Sequence, residues 1–89
     1  MEQDSHLRSA IDEHRKAIME EHGFSPRECE VCHAILNGET RASAAEKLFI
    51  AERTVKFHLE NCYKKLGVNS KSELIKRFYV APSPLDSID

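Results

Sequence analysis

The sequence predicts an all-α fold, and three observations lead to that prediction. Apolar residues recur at helical spacing, and no segment alternates apolar and polar residues as a half-buried strand does. Two Ser-x-x-Glu capping boxes precede such apolar segments, and a glycine follows three of them, which marks helix starts and ends. No apolar run approaches the roughly 20 residues that span a bilayer. The 89 residues are therefore expected to form one small helical domain that makes no membrane contact.

The most informative segment comprises residues 51–66, which are predicted to form a helix with two different faces. Val55, Leu59, Cys62 and Leu66 fall within one narrow arc, so this side is predicted to pack on the core. The opposite arc is mostly cationic or amide-bearing, and such side chains reach phosphates and base edges. Its members are Arg53, Lys56, Phe57, Glu60, Asn61 and Lys64.

The charge of the chain is unevenly distributed. The overall net charge of −2 at pH 7 would by itself argue against nucleic-acid binding. Residues 1–23 hold six Asp/Glu against three Lys/Arg, whereas residues 53–77 hold seven Lys/Arg against two Asp/Glu, a net of +5. The cationic field therefore coincides with the two-faced helix.

The N-terminal unit, residues 1–23, is predicted to be an amphipathic helix. Leu7, Ile11, His14 and Ile18 share one face at helical spacing. The same spacing fits two short heptads, so this face either forms a dimer seam or packs on its own domain.

The next two helices have clear boundaries. Ser25-Pro26-Arg27-Glu28 is a capping box with proline at the first helical position, and the helix it opens is predicted to end near Asn37, before Gly38. Thr40 can cap a short third helix that continues to Leu48. Residues 49–51 leave only a three-residue turn before the two-faced helix, as in a helix-turn-helix. The inward residues of the two helices are Val31, Cys32, Ile35, Leu36, Ala44, Ala45 and Leu48.

The last helix begins at a second predicted capping box, from Ser70 to Glu73, and has Leu74, Ile75 and Phe78 on its apolar side. Residues 79–89 contain two prolines and little to bury, so they are predicted to be a disordered tail.

A string of residues at fixed spacing runs through residues 24–78. It comprises Ser25-Pro26-Arg27-Glu28, Gly38, Ala45-Glu46-Lys47-Leu48, Ile50, Glu52-Arg53-Thr54-Val55-Lys56, His58-Leu59, Lys64-Lys65-Leu66-Gly67-Val68 and Glu73. This string resembles the LuxR-type (GerE-like) helix-turn-helix domain. The resemblance implies a four-helix fold whose third helix enters the major groove of DNA. It also implies dimers that form through the last helix and bind paired half-sites.

The resemblance also implies roles for individual residues. Lys56, Phe57 and Glu60 occupy positions that usually face bases. Positions that usually hold phosphates are occupied by Thr40, Thr54 and Lys71, and the implied dimer interface consists of Leu74, Ile75 and Phe78.

Five positions depart from the pattern of the family. Phe57 replaces a small aliphatic residue and either contacts a thymine methyl or crowds the groove, while Glu60 either accepts from cytosine N4 or repels phosphate. Ser43 replaces a glutamate and is not expected to reach back to the N-cap. Ala44 buries less than the usual isoleucine, and Ala51 lacks a capping side chain, which costs about 1 kcal/mol.

These features predict a sequence-specific DNA-binding transcriptional regulator that acts as a homodimer on the nucleoid in the bacterial cytoplasm. Because 23 residues cannot fold into a sensory domain, the chain is expected to act as a stand-alone effector, with RNA polymerase or a larger LuxR-type regulator as a further partner. The alternative is a protein-binding antagonist that pairs with a larger LuxR-type activator and blocks its DNA binding. Phe57, Glu60 and the negative net charge motivate that alternative.

Other chemistry is weighed against simpler interpretations. Cys29, Cys32 and His33 match the C-x-x-C-H pattern of haem attachment, but such attachment requires export, and the acidic N-terminus lacks the apolar segment of a signal peptide. A zinc site would need His58 and Cys62 as its second pair, and Cys62 lies on the packing face. No nucleophile, base and acid are spaced for catalysis. The sequence therefore predicts no enzyme, cofactor or metal.

Overall fold

Five helices make up the part of the chain that this computed structural model describes, which is the backbone of residues 2–79 and the side chains of residues 10–79. They are α1 (Glu2–Glu21), α2 (Pro26–Leu36), α3 (Arg41–Leu48), α4 (Glu52–Leu66) and α5 (Lys71–Phe78). No strand occurs among the described residues, and none of their helices is long and apolar enough to cross a membrane. The all-α prediction is confirmed. The predicted tail lies outside the described residues from Val80 onward.

The core lies where α2, α3 and α4 pack together, and α5 packs against α4. All four residues predicted for the packing arc of α4 are buried, as are most of those predicted for α2 and α3. Alanines at the α3 contact leave room for α4 to approach closely. The buried apolar residues are Met19, Val31, Cys32, Ile35, Ala44, Ala45, Val55, Leu59, Cys62, Leu66, Leu74 and Phe78.

The helices α2 and α3 each begin with a complete capping box. The Ser25 hydroxyl accepts from the Glu28 amide at 3.2 Å, and the Glu28 carboxylate accepts from the Ser25 amide at 2.9 Å. At α3, Ser43 also reaches back, because its hydroxyl accepts from the Thr40 amide at 2.9 Å. The expectation that Ser43 is too short for this role was therefore wrong. Ala51 caps α4 without any side-chain hydrogen bond, as its chemistry requires.

The start of α5 differs from the predicted capping box. The Ser70 hydroxyl accepts from the Glu73 amide at 3.2 Å, which is the first half of the box. The Glu73 carboxylate accepts instead from the amide of Asn69 at 2.6 Å, one residue before the cap. The prediction of a reciprocal bond to Ser70 was wrong, because the backbone at Ser70 has a φ of −151°, whereas Ser25, where a glutamate does close the box, has a φ of −73°.

The turn between α3 and α4 is as short as predicted and contains a strained residue. Phe49 adopts a left-handed conformation with φ of 57°, the region that Gly67 occupies at the end of α4. A side chain at such a position costs roughly 1–2 kcal/mol relative to glycine. Phe49 is also 92% exposed, so burial of its ring does not offset that cost.

Among the described side chains of α1, the most deeply buried one lies near its C-terminal end. Met19 is 1% exposed, whereas Ile11 is 39% exposed and His14 lies on the surface. The face that packs is therefore centred on Met19, which the sequence analysis did not single out. Of the predicted stripe, Ile18 is half-buried against the core, whereas Ile11 and His14 are exposed. The side chain of Leu7 lies outside the described residues. Arg15 secures the helix by donating to Asn37 at 2.8 Å.

An ion pair between the exposed Lys65 and the buried Glu28 joins the end of α4 to the start of α2. The Lys65 ammonium lies 2.5 Å from the Glu28 carboxylate and donates to the Gly23 carbonyl at 3.0 Å. Burial raises the pKa of Glu28, but hydrogen bonds from Lys65 and from the Ser25 amide outweigh it and hold the pKa below its usual 4.5. Glu28 thus remains charged in the folded protein over a wider pH range than in the unfolded chain.

Acid is expected to remove the stability that this pair contributes. Because the pKa of Glu28 is lower in the folded state, its contribution is complete above the unfolded value of 4.5 and is lost as the pH falls through the folded value. In urea unfolding followed by circular dichroism, the stability difference between the wild type and Glu28→Gln should shrink on acidification. Glu30→Gln is the control, because Glu30 pairs with Arg27 at the surface. A Glu28→Gln deficit that stays constant down to about pH 3 would contradict the assignment.

Candidate nucleic-acid interface

The outward face of α4 carries the residues predicted to reach a nucleic acid. Arg53, Lys56, Phe57, Glu60 and Lys64 are exposed, and Thr54 and Asn61 are half-buried. All of them stand opposite the buried stripe of the same helix. The two faces predicted from periodicity are therefore present, and the outer one is available to a ligand.

A cleft beside α4 collects three cations from three helices. It has a volume of about 290 Å³ and joins the first residue of α3 (Arg41), the middle of α4 (Lys56) and the first residue of α5 (Lys71). We call this feature the basic cleft. Its lining residues are Arg41, Lys56, Leu59, Glu60, Tyr63 and Lys71.

Two of these cations stand where the backbone disfavours them. Arg41 and Lys71 each occupy the first position of a helix, next to the positive end of the helix dipole. Placing a cation there costs some tenths of a kcal/mol, whereas an anion is stabilised by the same dipole. Three side-chain cations and two helix N-termini that meet at one cleft make it suited to phosphate.

The basic cleft contains two residues that the sequence analysis missed, Arg41 and Tyr63. Burial raises the pKa of the Tyr63 hydroxyl above its usual 10 despite the nearby Arg41 guanidinium, so the hydroxyl keeps its proton and can donate to a phosphate oxygen. The sequence held one signal for Arg41, namely a cation directly after the N-cap Thr40. It held none for Tyr63, because a tyrosine at the edge of an apolar arc usually belongs to the core.

A second shallow cleft of about 300 Å³ continues this surface toward the end of α4. Glu60 and Tyr63 line both clefts, and the second one adds Lys64, Val68 and Asn69. The continuous surface therefore runs from the start of α3 to the loop after α4. Among the remaining predicted contact residues, Thr40 is exposed at the N-cap of α3, and Arg53 and Thr54 lie in the first turn of α4.

Not every cation counted between residues 53 and 77 is available to a ligand. Lys65 is committed to Glu28 and Gly23, and Arg77 on α5 lies 3.4 Å from the His22 ring. The net charge of +5 therefore overstates the charge that α4 presents. On α4 itself, the exposed cations without such a partner are Arg53, Lys56 and Lys64.

The residues considered for metal or haem binding are mostly enclosed. Cys32 and Cys62 are buried, and Cys62 donates to the Glu28 carbonyl with its sulfur at 3.7 Å. A hydrogen bond with Cys62, together with burial, raises the pKa of Cys32, which keeps it a thiol. Among the described side chains, no three His, Cys, Asp or Glu residues come together as a metal site would require.

The residues predicted for a dimer interface differ in exposure. Leu74 is fully buried and Phe78 is 5% exposed, because both pack into the core of their own chain. Ile75 is 39% exposed and faces a groove between α1 and α5 of about 310 Å³. Leu74 and Phe78 thus have almost no surface left for a partner, and Ile75 is the exposed member of the three. The groove, which we call the α1–α5 groove, is lined by Ile11, Arg15, Leu36, Ile75, Phe78 and Tyr79.

Comparison with known proteins identifies bacterial regulatory and germination proteins as relatives of this chain. The transcriptional regulatory protein DegU of Brevibacillus brevis is 35% identical over 63 residues, which are 71% of this chain and 25% of DegU. The spore germination protein GerE of Bacillus subtilis is 39% identical over 52 residues, 58% of this chain and 70% of GerE. The probable transcriptional regulatory protein SgaR of Hyphomicrobium methylovorum is 44% identical over 49 residues, 55% of this chain and 23% of SgaR.

This chain therefore spans about a quarter of the length of DegU and of SgaR. No solved structure matches it. The names of these relatives are those of regulatory and germination proteins and not of enzymes. The family described as "Bacterial regulatory proteins, luxR family" matches residues 22–78, which include α2 to α5 and the whole candidate interface. The chain belongs to the luxR family of bacterial regulatory proteins.

Proposed function

We propose that this protein is a sequence-specific DNA-binding transcriptional regulator that reads the major groove with α4. The observation that carries the proposal is the meeting of Arg41, Lys56 and Lys71 with two helix N-termini in one cleft beside the outward face of α4. A duplex lying on this face would place base edges at α4 and a phosphate strand at the basic cleft. Such a regulator would act at the bacterial nucleoid.

Removal of the two lysines on the outward face of α4 is expected to weaken binding and to flatten its salt dependence. In a gel shift with the upstream region of the protein's own gene, Lys56→Ala with Lys64→Ala should lower the slope of log K against log salt by about 1.8, since each phosphate contact contributes about 0.9. Lys16→Ala with Lys47→Ala is the matched control, because it removes the same charge from α1 and α3. Wild-type binding by the Lys56/Lys64 variant would exclude this face of α4 as the DNA contact.

The regulator is proposed to act as a homodimer. The α1–α5 groove exposes Ile11, Ile75 and Tyr79, which are apolar or aromatic and close to one another. A second copy that covers this groove would bury them and would present two α4 helices to paired half-sites.

Ile75→Asp is expected to convert the dimer to a monomer, because it places a charge in the centre of the proposed contact. Sedimentation velocity over a concentration series measures the change. Ala42→Asp, with the same charge on exposed α3, should leave the dimer intact. A wild-type protein that stays monomeric at high micromolar concentration would refute the homodimer while leaving the DNA contact to be judged by the gel shift.

A second candidate function is a protein-binding antagonist of a larger LuxR-type regulator. The observation that favours it is the exposure of large side chains, since Phe49 is 92%, Tyr79 is 66% and Phe57 is 59% exposed. In the antagonist, these side chains would contact another protein, an activator or RNA polymerase. Absence of any duplex binding, together with a stoichiometric complex with an activator, would favour the antagonist over the DNA-binding regulator.

A further inference from the structure

A long groove runs along α1 and has the last described residue, Tyr79, in its wall. The α1–α5 groove shares Ile11 and Arg15 with a cleft of about 470 Å³. That cleft in turn shares Asp12 and Asn37 with another of about 520 Å³. We call the three together the long groove. Its further lining residues, between α1 and α2, are Lys16, Met19, Cys29 and His33.

Apolar surface is left uncovered at the end of the long groove that lies beside α5. Ile11 and Ile75 are each 39% exposed there, and Tyr79 is 66% exposed. Contiguous apolar side chains at a groove mark a surface that another segment or another protein covers.

The chain continues from Tyr79 into a segment that is long enough to follow this groove. Residues 80–89 include Pro82 and Pro84, which favour an extended backbone that rises about 3.1 Å per residue. The ten residues therefore reach roughly 30 Å. Ile11 and Met19, near the two ends of the groove, lie eight positions apart on α1, or about 12 Å along its axis.

The wall of the long groove carries a small excess of positive charge. Arg15 and Lys16 are its cations, and Asp12 is the one carboxylate among its lining residues. Burial, and then the charge of Arg15, lower the pKa of His33, so this ring adds no charge at neutral pH. Arg15 donates to Asn37 through one nitrogen, and its guanidinium has further N–H groups that a carboxylate can accept from.

The segment that follows Tyr79 has the opposite charge and alternates it with apolar side chains. Asp86 and Asp89 are its charged side chains, and it contains no lysine or arginine. Leu85 and Ile88 are each followed directly by one of these aspartates. The segment therefore offers what the groove lacks, namely apolar side chains for its exposed end and carboxylates for its cations.

We propose that residues 80–89 fold back along the long groove, with Leu85 and Ile88 on its apolar surface and the neighbouring aspartates beside Arg15 and Lys16. The low apolar content of the segment predicts that it forms no core of its own, and an extended segment laid in a groove needs none. Its prolines reduce the conformational freedom that docking removes. The regulatory consequence rests on the proposed homodimer, because a docked tail would exclude a second copy from the groove.

Docking is tested by ¹⁵N relaxation of the monomeric full chain. The backbone order parameters of residues 85–88 should be about 0.8 in the wild type and below about 0.6 in Leu85→Ser with Ile88→Ser. Ser83→Ala with Ser87→Ala is the control, because it changes two residues of the same segment and keeps both apolar side chains. Order parameters below about 0.6 in the wild type would overturn the proposal.

The ionic part of the contact is tested by reversing the charges on both sides. Asp86→Lys with Asp89→Lys should release the segment and lower its order parameters. Adding Arg15→Glu and Lys16→Glu to that variant should restore them, because the pairs are then present with their signs exchanged. A segment that stays ordered after the first reversal, or that the second does not restore, would overturn the ionic contact.

Sedimentation velocity separates this inference from the proposed homodimer. If the tail is docked in at least half of the copies, Leu85→Ser with Ile88→Ser should dimerise at least about fourfold more tightly than the wild type, because both copies must otherwise release their tails. A wild type that dimerises while its tail is flexible would assign the groove to the second copy and overturn the docking. If neither protein dimerises while the wild-type tail is ordered, the docking stands and the homodimer is refuted.

Discussion

Replacement of Arg41, Lys56 and Lys71 together by alanine is expected to weaken duplex binding by roughly 500-fold at about 0.1 M salt, if each contacts one phosphate. Each phosphate contact contributes about 0.9 to the slope of log affinity against log salt, which corresponds to roughly eightfold per contact at that concentration. The loss should reduce affinity for specific and non-specific duplexes alike, since phosphates carry no sequence information. The three residues converge in the basic cleft, so no other surface of the described chain is altered.

Fluorescence anisotropy with a labelled duplex at several salt concentrations measures both the affinity and the slope. The matched control is the combination Lys16→Ala, Arg27→Ala and Lys47→Ala, which also removes one arginine and two lysines. Arg27 and Lys47 pair at the surface with Glu30 and Glu39, so their loss costs little stability. Equal affinities of the two triple variants would show that binding depends on net charge and not on the basic cleft.

Met19→Ala is expected to destabilise the protein by about 2–4 kcal/mol, because the side chain is buried against the rest of the domain. In a domain of this size such a loss lowers the melting temperature by roughly 10 °C or more. The amide of Phe24 donates to the Met19 carbonyl at 3.0 Å, so this end of α1 is continuous with the start of α2. We propose that α1 and residues 24–78 unfold as one cooperative unit.

Ile11→Ala is the control on the same helix. Because Ile11 is 39% exposed, its truncation should cost about 1 kcal/mol or less in the monomer. Thermal and urea unfolding by circular dichroism measure both variants. If Met19→Ala costs no more than Ile11→Ala, α1 does not contribute to the cooperative unit.

Much of the fold follows from patterns that are local in the sequence. The four apolar residues of α4 lie within one arc, and any core on that side must bury them, so their burial could be predicted. Capping residues act within one turn, and therefore Ser25 and Thr40 identified two helix starts correctly. The boundaries of α2, α3 and α4 agree with the structure because each depends on contacts between residues at most four positions apart.

Contacts between distant segments and rotamer-dependent hydrogen bonds could not be predicted from local patterns. Periodicity identified an apolar face of α1 but not which residues of α1 pack on the domain. In the structure Met19 is buried and Ile11 is exposed. On α5, Leu74, Ile75 and Phe78 form one apolar side, and only packing decides that the first and last fill the core while Ile75 remains at the surface. The Ser43 and Glu73 hydrogen bonds depended on rotamers and loop conformation.

The helical character of the chain, the position of α4 and the difference between its two faces follow from sequence alone, because side chains spaced along one helix share a face by geometry. That Arg41 and Tyr63 join Lys56 and Lys71 in one cleft, and that Lys65 does not, follows from the folded chain, since these residues belong to separate helices or to different sides of one helix. Which charges meet depends on how the helices pack, and the packing is set by the buried surfaces of the whole chain and not by any single segment.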